Sequence, residues 1–187
     1  PATVEFRRQT IGDSRSHVFP LHDDNPTTIR PYVTIGLIVA CALVFLWQLS
    51  LPGDRGQAVV YALGLIPSVL LGERALPSHL LLVPAELSVV TSMFLHGGFM
   101  HLIGNMLFLW IFGNNVEDAM GHWRFAVFYL LCGIAAALAQ VAQDPSSTVP
   151  MIGASGAIGG VLGAYLLLHP KARVLVLVFL GFFVTTM

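Results

Sequence analysis

The stretch GASGAIGG, residues 153–160, decides how this chain folds, because it sets a serine between glycines at the start of an apolar segment. A polar group without a partner is costly in lipid, so Ser155 needs either a structural or a chemical reason. Serine commonly caps a helix N-terminus or packs between membrane helices. Flanking glycines also let backbone amides and a helix dipole converge beside the hydroxyl, which is the arrangement that stabilises an oxyanion. Both interpretations stay open at this point.

The composition indicates an integral membrane protein. The 187 residues are 56% hydrophobic and 10% charged, whereas a soluble domain carries about 25% charged residues. The formal net charge of −1 gives no reason to expect a nucleic-acid partner. The two cysteines lie in separate apolar runs without metal-ligand spacing, and the sequence implies neither a metal nor a cofactor.

Apolar runs predict an all-α polytopic transmembrane bundle with about five spans present of an expected six or more. We expect residues 1–30 to form a polar tail and residues 31–187 a membrane domain that is incomplete at its C-terminus. The predicted spans are residues 32–51, 97–116, 125–141, 154–168 and 174–187, and a loop with short interfacial helices covers residues 52–92. The last run holds 14 residues, or about 21 Å of helix, so we expect the chain to be a fragment.

Lysine and arginine residues predict the orientation. If the N-terminus is cytoplasmic, seven of them fall on that side and only Arg55 and Arg74 fall on the other. The positive-inside rule then places the tail in the cytoplasm and the long loop outside.

The predicted span that begins beside Ser155 is too short to cross a membrane fully. Residues 154–168 make about 22 Å of helix, and His169 and Lys171 fix the cytoplasmic end. The outer end should therefore begin below the membrane surface, so the preceding DPSSTVPMIG must enter the bilayer. Such backbone persists there only when it is buried in protein or lines a wet cavity. We therefore expect Ser155 in a polar pocket inside the membrane, at a helix N-terminus.

Four glycines give the same helix a bare face. Gly156, Gly159, Gly160 and Gly163 form two overlapping G-x-x-x-G pairs, a spacing that favours close packing of membrane helices. Such packing would bring Ser155 close to neighbouring helices.

Two polar residues share one face of the second span. His101 and Asn105 are four residues apart in HGGFMHLIGNMLFLWIFG, residues 96–113, and both lie in its outer half. A single membrane histidine is usually structural, but two stacked polar side chains at the depth of Ser155 favour a site. His96 lies off that face, at the loop junction, and fits a structural role equally well.

Taken together, three motifs resemble those of the rhomboid family of intramembrane serine proteases, whose bacterial members also show a lead-in similar to PLHDDNPT at residues 20–27. They are HGGFMHLIGN at residues 96–105, GASG at residues 153–156, and G-x-x-x-E from Gly113 to Glu117. The resemblance covers nearly the whole chain from about Phe19. It implies a rhomboid-like multi-pass protein of the bacterial inner membrane, whose partners are the bilayer and transmembrane protein substrates.

The resemblance also implies a Ser–His dyad without metal or cofactor. Ser155 matches the nucleophile, and the oxyanion would be supported by His101, Asn105 and the Gly153–Ala154 segment. Further positions match structural residues of the family: His96, Gly113, Glu117, Gly156, Gly159, Gly160 and Gly163. The family's general base is a histidine on a sixth span, which is expected beyond residue 187, so we expect the fragment alone to be inactive.

If depth in the membrane were the only criterion, His101 would be the base. The reason is that His79, His122 and His169 are expected at other depths than Ser155. We follow the family assignment to the oxyanion site, since it also explains Asn105 on the same face. A catalytically inactive rhomboid-like protein that binds membrane clients is the alternative, but it would be expected to lack Ser155. A transporter would need internal repeats or a charged pathway through its spans, and the sequence shows neither.

Overall fold

The structure is a computed structural model that describes residues 27–170, 178–180 and 183–185. Most of the polar tail predicted at residues 1–30 lies outside these residues. The helices are α1 (Tyr32–Ser50), α2 (Arg55–Leu63), α3 (Pro67–Leu70), α4 (Ser88–Thr91), α5 (Phe99–Met120), α6 (His122–Gln143) and α7 (Ser155–Leu168). Single 3₁₀ turns at Ser78–Leu80, Ala85–Leu87 and Ser92–Phe94 complete the long connection between α1 and α5.

The long helices form an apolar bundle. By length and composition, α1 and α6 could each cross a membrane. A third candidate span is the pair formed by Ala85–Phe94 and α5, and the chain bends by 82° between these two parts. The apolar helix α7 has only 14 residues. The predicted all-α membrane bundle is confirmed, and the first four predicted spans correspond to α1, α5, α6 and α7.

The fifth predicted span is wrong where the structure describes it. The strands β1 (Val178–Leu180) and β2 (Phe183–Thr185) pair in antiparallel orientation, with Val178 opposite Thr185. The predicted start of this span, at Val174, lies outside the described residues. Valine, phenylalanine and threonine favour strands, and a short apolar run cannot be assigned to helix or strand by periodicity alone.

Helix α7 packs on α5 and α6. A Cβ atom added to Gly156 would lie 2.5 Å from the Cβ of Ala136, and one added to Gly160 would collide with Cys132. These two glycines therefore allow the close approach of α6. Cβ atoms at the other predicted pair, Gly159 and Gly163, would meet no atom within 4 Å in the described part of the chain.

The end of the bundle remote from Ser155 is held by a buried carboxylate. Glu117 of α5 accepts hydrogen bonds at 2.7–2.9 Å from the N–H groups of Val33 and Thr34 and from the Thr34 hydroxyl. These amides lie in the first turn of α1, where a helix has no acceptor of its own. His122 Nδ1 contacts the same carboxylate. Gly113 permits the approach, because an added Cβ would lie 3.1 Å from Thr34 Oγ1.

The long connection between α1 and α5 is joined to the segment that precedes α7. Leu65 and Met151 exchange two backbone hydrogen bonds of 3.0 and 2.8 Å, and the Ser68 N–H donates to the Ser147 carbonyl at 3.1 Å. Irregular backbone survives at membrane depth only when protein satisfies its polar groups. These bonds supply such partners to the segment that the sequence predicts inside the bilayer.

Candidate active site

Ser155 is the first residue of α7, and its side chain is exposed. The helix is capped by the backbone of buried Ala154, without a side-chain hydrogen bond. The Ser155 hydroxyl makes no hydrogen bond to any residue that the structure describes. The capping role that the sequence left open is therefore not the role of this serine.

A groove between α5 and α7 brings three predicted site residues together. It has a volume of about 380 Å³, and Ser155, His101 and Asn105 all line it. The rest of the lining is apolar or lacks a side chain: Met100, Gly104, Phe108, Ile158, Gly159 and Leu162. The three polar side chains thus stand in an otherwise apolar surface.

One long hydrogen bond to the His101 ring favours one of its two neutral tautomers. Nδ1 accepts the Gly97 N–H at 3.4 Å, so a neutral imidazole carries its proton on Nε2. The Nε2 edge faces the segment before Ser155, because a Cβ atom added to Gly153 would lie 2.7 Å from it. His101 therefore presents an N–H donor at this point rather than a free lone pair.

Asn105 lies on the same face of α5 as His101. Its side chain is 7% exposed, and Nδ2 donates to the His101 carbonyl at 2.9 Å. An amide NH₂ group carries two hydrogens, so one N–H remains for a group in the groove. A Cβ added to Gly153 would also lie 3.8 Å from this Nδ2.

Gly153 sets the distance between the Ser155 segment and α5. Its φ of +116° is a conformation that side-chain-bearing residues rarely adopt, and its N–H donates to the Ser92 carbonyl at 2.9 Å. A side chain here would be strained and would also collide with the His101 ring.

Backbone amides supply further donors beside the Ser155 hydroxyl. Ile158 is the first residue of α7 whose N–H bonds backward, to the Ala154 carbonyl at 3.0 Å. The N–H groups of Ser155, Gly156 and Ala157 donate to no acceptor within the described residues. Free amides at a helix N-terminus favour negative charge. Ser155 therefore lies among donors suited to an oxyanion.

His96 packs behind His101. It is 1% exposed, and the two ring centroids are 5.2 Å apart in an edge arrangement. The Gln48 side chain of α1 holds its backbone: Oε1 accepts the His96 N–H at 3.2 Å, and Nε2 reaches the His96 carbonyl at 3.5 Å. The sequence does not single out Gln48, although an amide in an apolar span is the signal that could have done so.

A second, smaller cavity of about 180 Å³ lies on the other side of Ser155, against α6. Small residues of α6 and α7 form much of its wall, and Ser92 and Gln140 add polar groups. The sequence does not indicate this cavity. Its small lining residues are Gly133, Ala136, Ala137, Gly153, Gly156 and Ala157.

The other described histidines lie away from the groove. His79 is on the loop turn at Ser78–Leu80, His122 contacts Glu117, and His169 follows the far end of α7. Among the described residues, no group of three His, Cys, Asp or Glu side chains could hold a metal ion.

Comparison with known proteins identifies relatives of this chain. The Rhomboid domain model matches residues 85–187, more than half of the sequence. Rhomboid protein 1, mitochondrial, of Saccharomyces cerevisiae is 37% identical over 101 residues, which are 52% of this chain and 29% of the yeast protein. Rhomboid protease GluP of Bacillus subtilis is 44% identical over 78 residues, which are 42% of this chain and 15% of that protein.

A third relative is matched over a longer stretch. Presenilin-associated rhomboid-like protein, mitochondrial, of Mus musculus is 30% identical over 138 residues, which are 70% of this chain and 35% of the mouse protein. The chain thus spans between 15% and 35% of the length of these three relatives. The matched domain and the apolar helices together show that this chain is an integral membrane protein that belongs to the rhomboid family.

Proposed function

We propose that this protein is an intramembrane serine endopeptidase that cleaves transmembrane segments of other membrane proteins, with Ser155 as its nucleophile. One observation carries the proposal: Ser155, whose hydroxyl does not cap α7, lines one groove together with His101 and Asn105. The membership in the rhomboid family and the likeness to a relative named as a rhomboid protease support the same activity.

The reaction follows from the donors around the serine. Ser155 Oγ attacks the carbonyl carbon of the scissile amide, and its proton passes to a general base. The negative charge that forms on the carbonyl oxygen accepts hydrogen bonds from the Ser155 N–H, His101 Nε2 and Asn105 Nδ2. The base then protonates the leaving amine, and water hydrolyses the acyl-serine by the same route.

We propose that the general base is a histidine other than those of the described residues, as the family resemblance implies. His101 is the only histidine of the described residues that lines the Ser155 groove. Its Nδ1 accepts a long hydrogen bond of 3.4 Å from the Gly97 N–H, which favours the neutral tautomer that carries its proton on Nε2 and presents a donor there. In this tautomer His101 is an oxyanion donor, and a second imidazole takes the proton.

The two cavities beside Ser155 suggest how a substrate lies. The larger, apolar groove between α5 and α7 suits a transmembrane segment, and the smaller cavity suits a small side chain next to the scissile bond. A helical segment has its carbonyls in hydrogen bonds, so it must unwind locally before attack. Segments with helix-weakening residues are the expected substrates.

The distribution of charge supports an orientation for this activity. Seven of the nine lysine and arginine residues fall on the same side of the membrane as the tail, residues 1–30. This distribution favours a cytoplasmic N-terminus. Ser155 then lies toward the outer face, where water can enter. The likeness of the lead-in PLHDDNPT, residues 20–27, to that of bacterial rhomboids favours the bacterial inner membrane as the location.

A fluorophosphonate probe tests the nucleophile. We expect the full-length protein in detergent to be labelled and Ser155→Ala to abolish labelling. Ser146→Ala is the matched control, because Ser146 is an exposed serine of the segment before α7, and it should leave labelling intact. Labelling that persists in Ser155→Ala would show that another residue is the nucleophile.

A further inference from the structure

A separate cavity lies in the long connection between α1 and α5. It has a volume of about 230 Å³ and is bounded by α2, α3, the loop after α3 and Thr148. Its polar lining residues are Tyr61, Ser68, Arg74 and Thr148, and no carboxylate lines it. The remaining lining is apolar: Ile66, Val69, Ala75, Leu76, Pro77 and Leu80.

Ser68 is a buried residue whose hydroxyl lacks a partner. The residue is 1% exposed, and Oγ makes no hydrogen bond within the described part of the chain. Its backbone is fully used: the N–H donates to Ser147, and the carbonyl accepts the N–H groups of Glu73 at 2.9 Å and Arg74 at 3.0 Å. Buried polar groups are nearly always hydrogen-bonded, so a hydroxyl held in this position indicates a missing partner.

Arg74 adds a positive charge to the same cavity. The backbone N–H of Arg74 donates to the Ser68 carbonyl, so the base of the Arg74 side chain lies close to Ser68. No carboxylate of the described residues forms an ion pair with it, and neighbouring Glu73 does not line the cavity. A guanidinium group in a cavity that is also lined by hydroxyl groups suits a phosphate, which accepts two parallel hydrogen bonds from arginine.

The surroundings of the cavity indicate where such a phosphate comes from. Leu71, Leu81 and Leu82 flank the cavity-lining segment and are 50%, 59% and 60% exposed. In a loop of a membrane protein, exposed leucines of this kind indicate contact with the membrane interface. The cavity is smaller than the pockets of about 300 to 1,000 Å³ that enclose drug-sized ligands, so it suits a headgroup rather than a whole lipid.

We propose that this cavity binds a phosphate group through Arg74 and Ser68, with Tyr61 and Thr148 as further hydroxyl partners, and that a phospholipid headgroup supplies it. The site is distinct from the groove of Ser155. Thr148 belongs to the segment that leads to Ser155, so a bound phosphate would join that segment to the long connection.

Binding measurements on the full-length protein in detergent test the proposal. The probes are short-chain phosphatidylglycerol, inorganic phosphate and, as a lipid without phosphate, short-chain diacylglycerol. We expect phosphatidylglycerol to bind and Arg74→Gln and Ser68→Ala each to weaken that binding about tenfold or more. Arg55→Gln is the matched control, since Arg55 is an arginine of the same loop that does not line the cavity, and it should leave affinity unchanged.

The remaining outcomes separate the sources and the alternatives. Inorganic phosphate that binds with the same dependence on Arg74 and Ser68 supports the site and identifies free phosphate as the ligand. Binding of phosphatidylglycerol alone supports the site and identifies the lipid. Equal binding of diacylglycerol, or an equal loss in Arg55→Gln, would overturn the proposal. Ser68→Ala should fold normally, because its hydroxyl bonds to no described residue.

Discussion

The backbone of Gly153 lies directly against the ring of His101: a Cβ atom added to Gly153 would lie only 2.7 Å from His101 Nε2. Real Cβ atoms essentially never approach another atom so closely. The glycine therefore determines how near the Ser155 segment comes to the α5 donors. Catalysis that depends on these donors must depend on this glycine as well.

Replacing Gly153 with alanine should lower the rate of substrate cleavage by a hundredfold or more. The methyl group would displace either the His101 ring or the Ser155 segment, and loss of a single oxyanion donor typically costs about a hundredfold or more in rate. The measurement is the turnover of a transmembrane substrate in vesicles, together with the melting temperature of each variant.

Gly72→Ala is the control for backbone strain in that experiment. Gly72 also has a positive φ, +75°, but an added Cβ would meet no atom within 4 Å. Both substitutions should destabilise the fold by about 1 to 3 kcal/mol through strain, while only Gly153→Ala should lose activity. Equal losses of activity in the two variants would contradict the role of the contact with His101.

His101→Ala and Asn105→Ala should each raise the activation free energy of cleavage by about 3 kcal/mol, because each removes one oxyanion donor. The rate should fall by about a hundredfold or more. The loss should appear in kcat rather than in KM, since the donors act on charge that develops in the transition state. Ile103→Ala is the control on the same helix, because Ile103 is exposed and does not line the groove. Unchanged kcat in both donor variants would remove them from the site, and unfolding of both would favour a packing role.

Apolar composition was enough to locate α1, α5, α6 and α7 within a few residues, because a membrane span must satisfy its backbone internally and remain apolar over its length. The strand pair Val178–Leu180 and Phe183–Thr185 could not be predicted in this way, since these apolar residues fit a strand as well as a helix.

The partners of individual side chains depend on tertiary packing. Gln48 and His96 are 48 residues apart in sequence, and no local pattern joins them. Gly156 and Gly159 belong to identical G-x-x-x-G spacings, yet only the first meets α6. The shared face of His101 and Asn105 was predictable because helical periodicity alone determines it.

A protein that ends at Met187 should show no measurable turnover of a transmembrane substrate, whereas a version extended through the following segment should cleave it. The reason is that His101 Nδ1 already accepts the Gly97 N–H, which leaves the neutral ring with a donor at Nε2. Cleavage by the 187-residue protein would contradict this assignment and identify His101 as the base. Ser155→Ala in the extended protein is the control for contaminating proteases.

Glu117→Gln should lower stability without removing the active site. The buried carboxylate accepts three hydrogen bonds from Val33 and Thr34 and contacts His122. Hydrogen bonds to a charged group contribute about 1.5 to 3 kcal/mol each, and the neutral amide can accept through only one of its two end atoms. We expect a lower melting temperature, with cleavage retained at temperatures where the variant is still folded.

Asp118→Asn is the matched control for Glu117→Gln, since it makes the same change at the next residue. Asp118 Oδ1 accepts the N–H groups of Thr28 and Ile29 and the Thr28 hydroxyl at 2.7–2.9 Å, but the bonds to Thr28 are exposed to solvent. Water screens such interactions and replaces them when they are lost. The melting temperature should therefore fall less in Asp118→Asn than in Glu117→Gln. An equal or larger fall would show that the Asp118 carboxylate contributes at least as much as the Glu117 carboxylate to holding the start of α1 on α5.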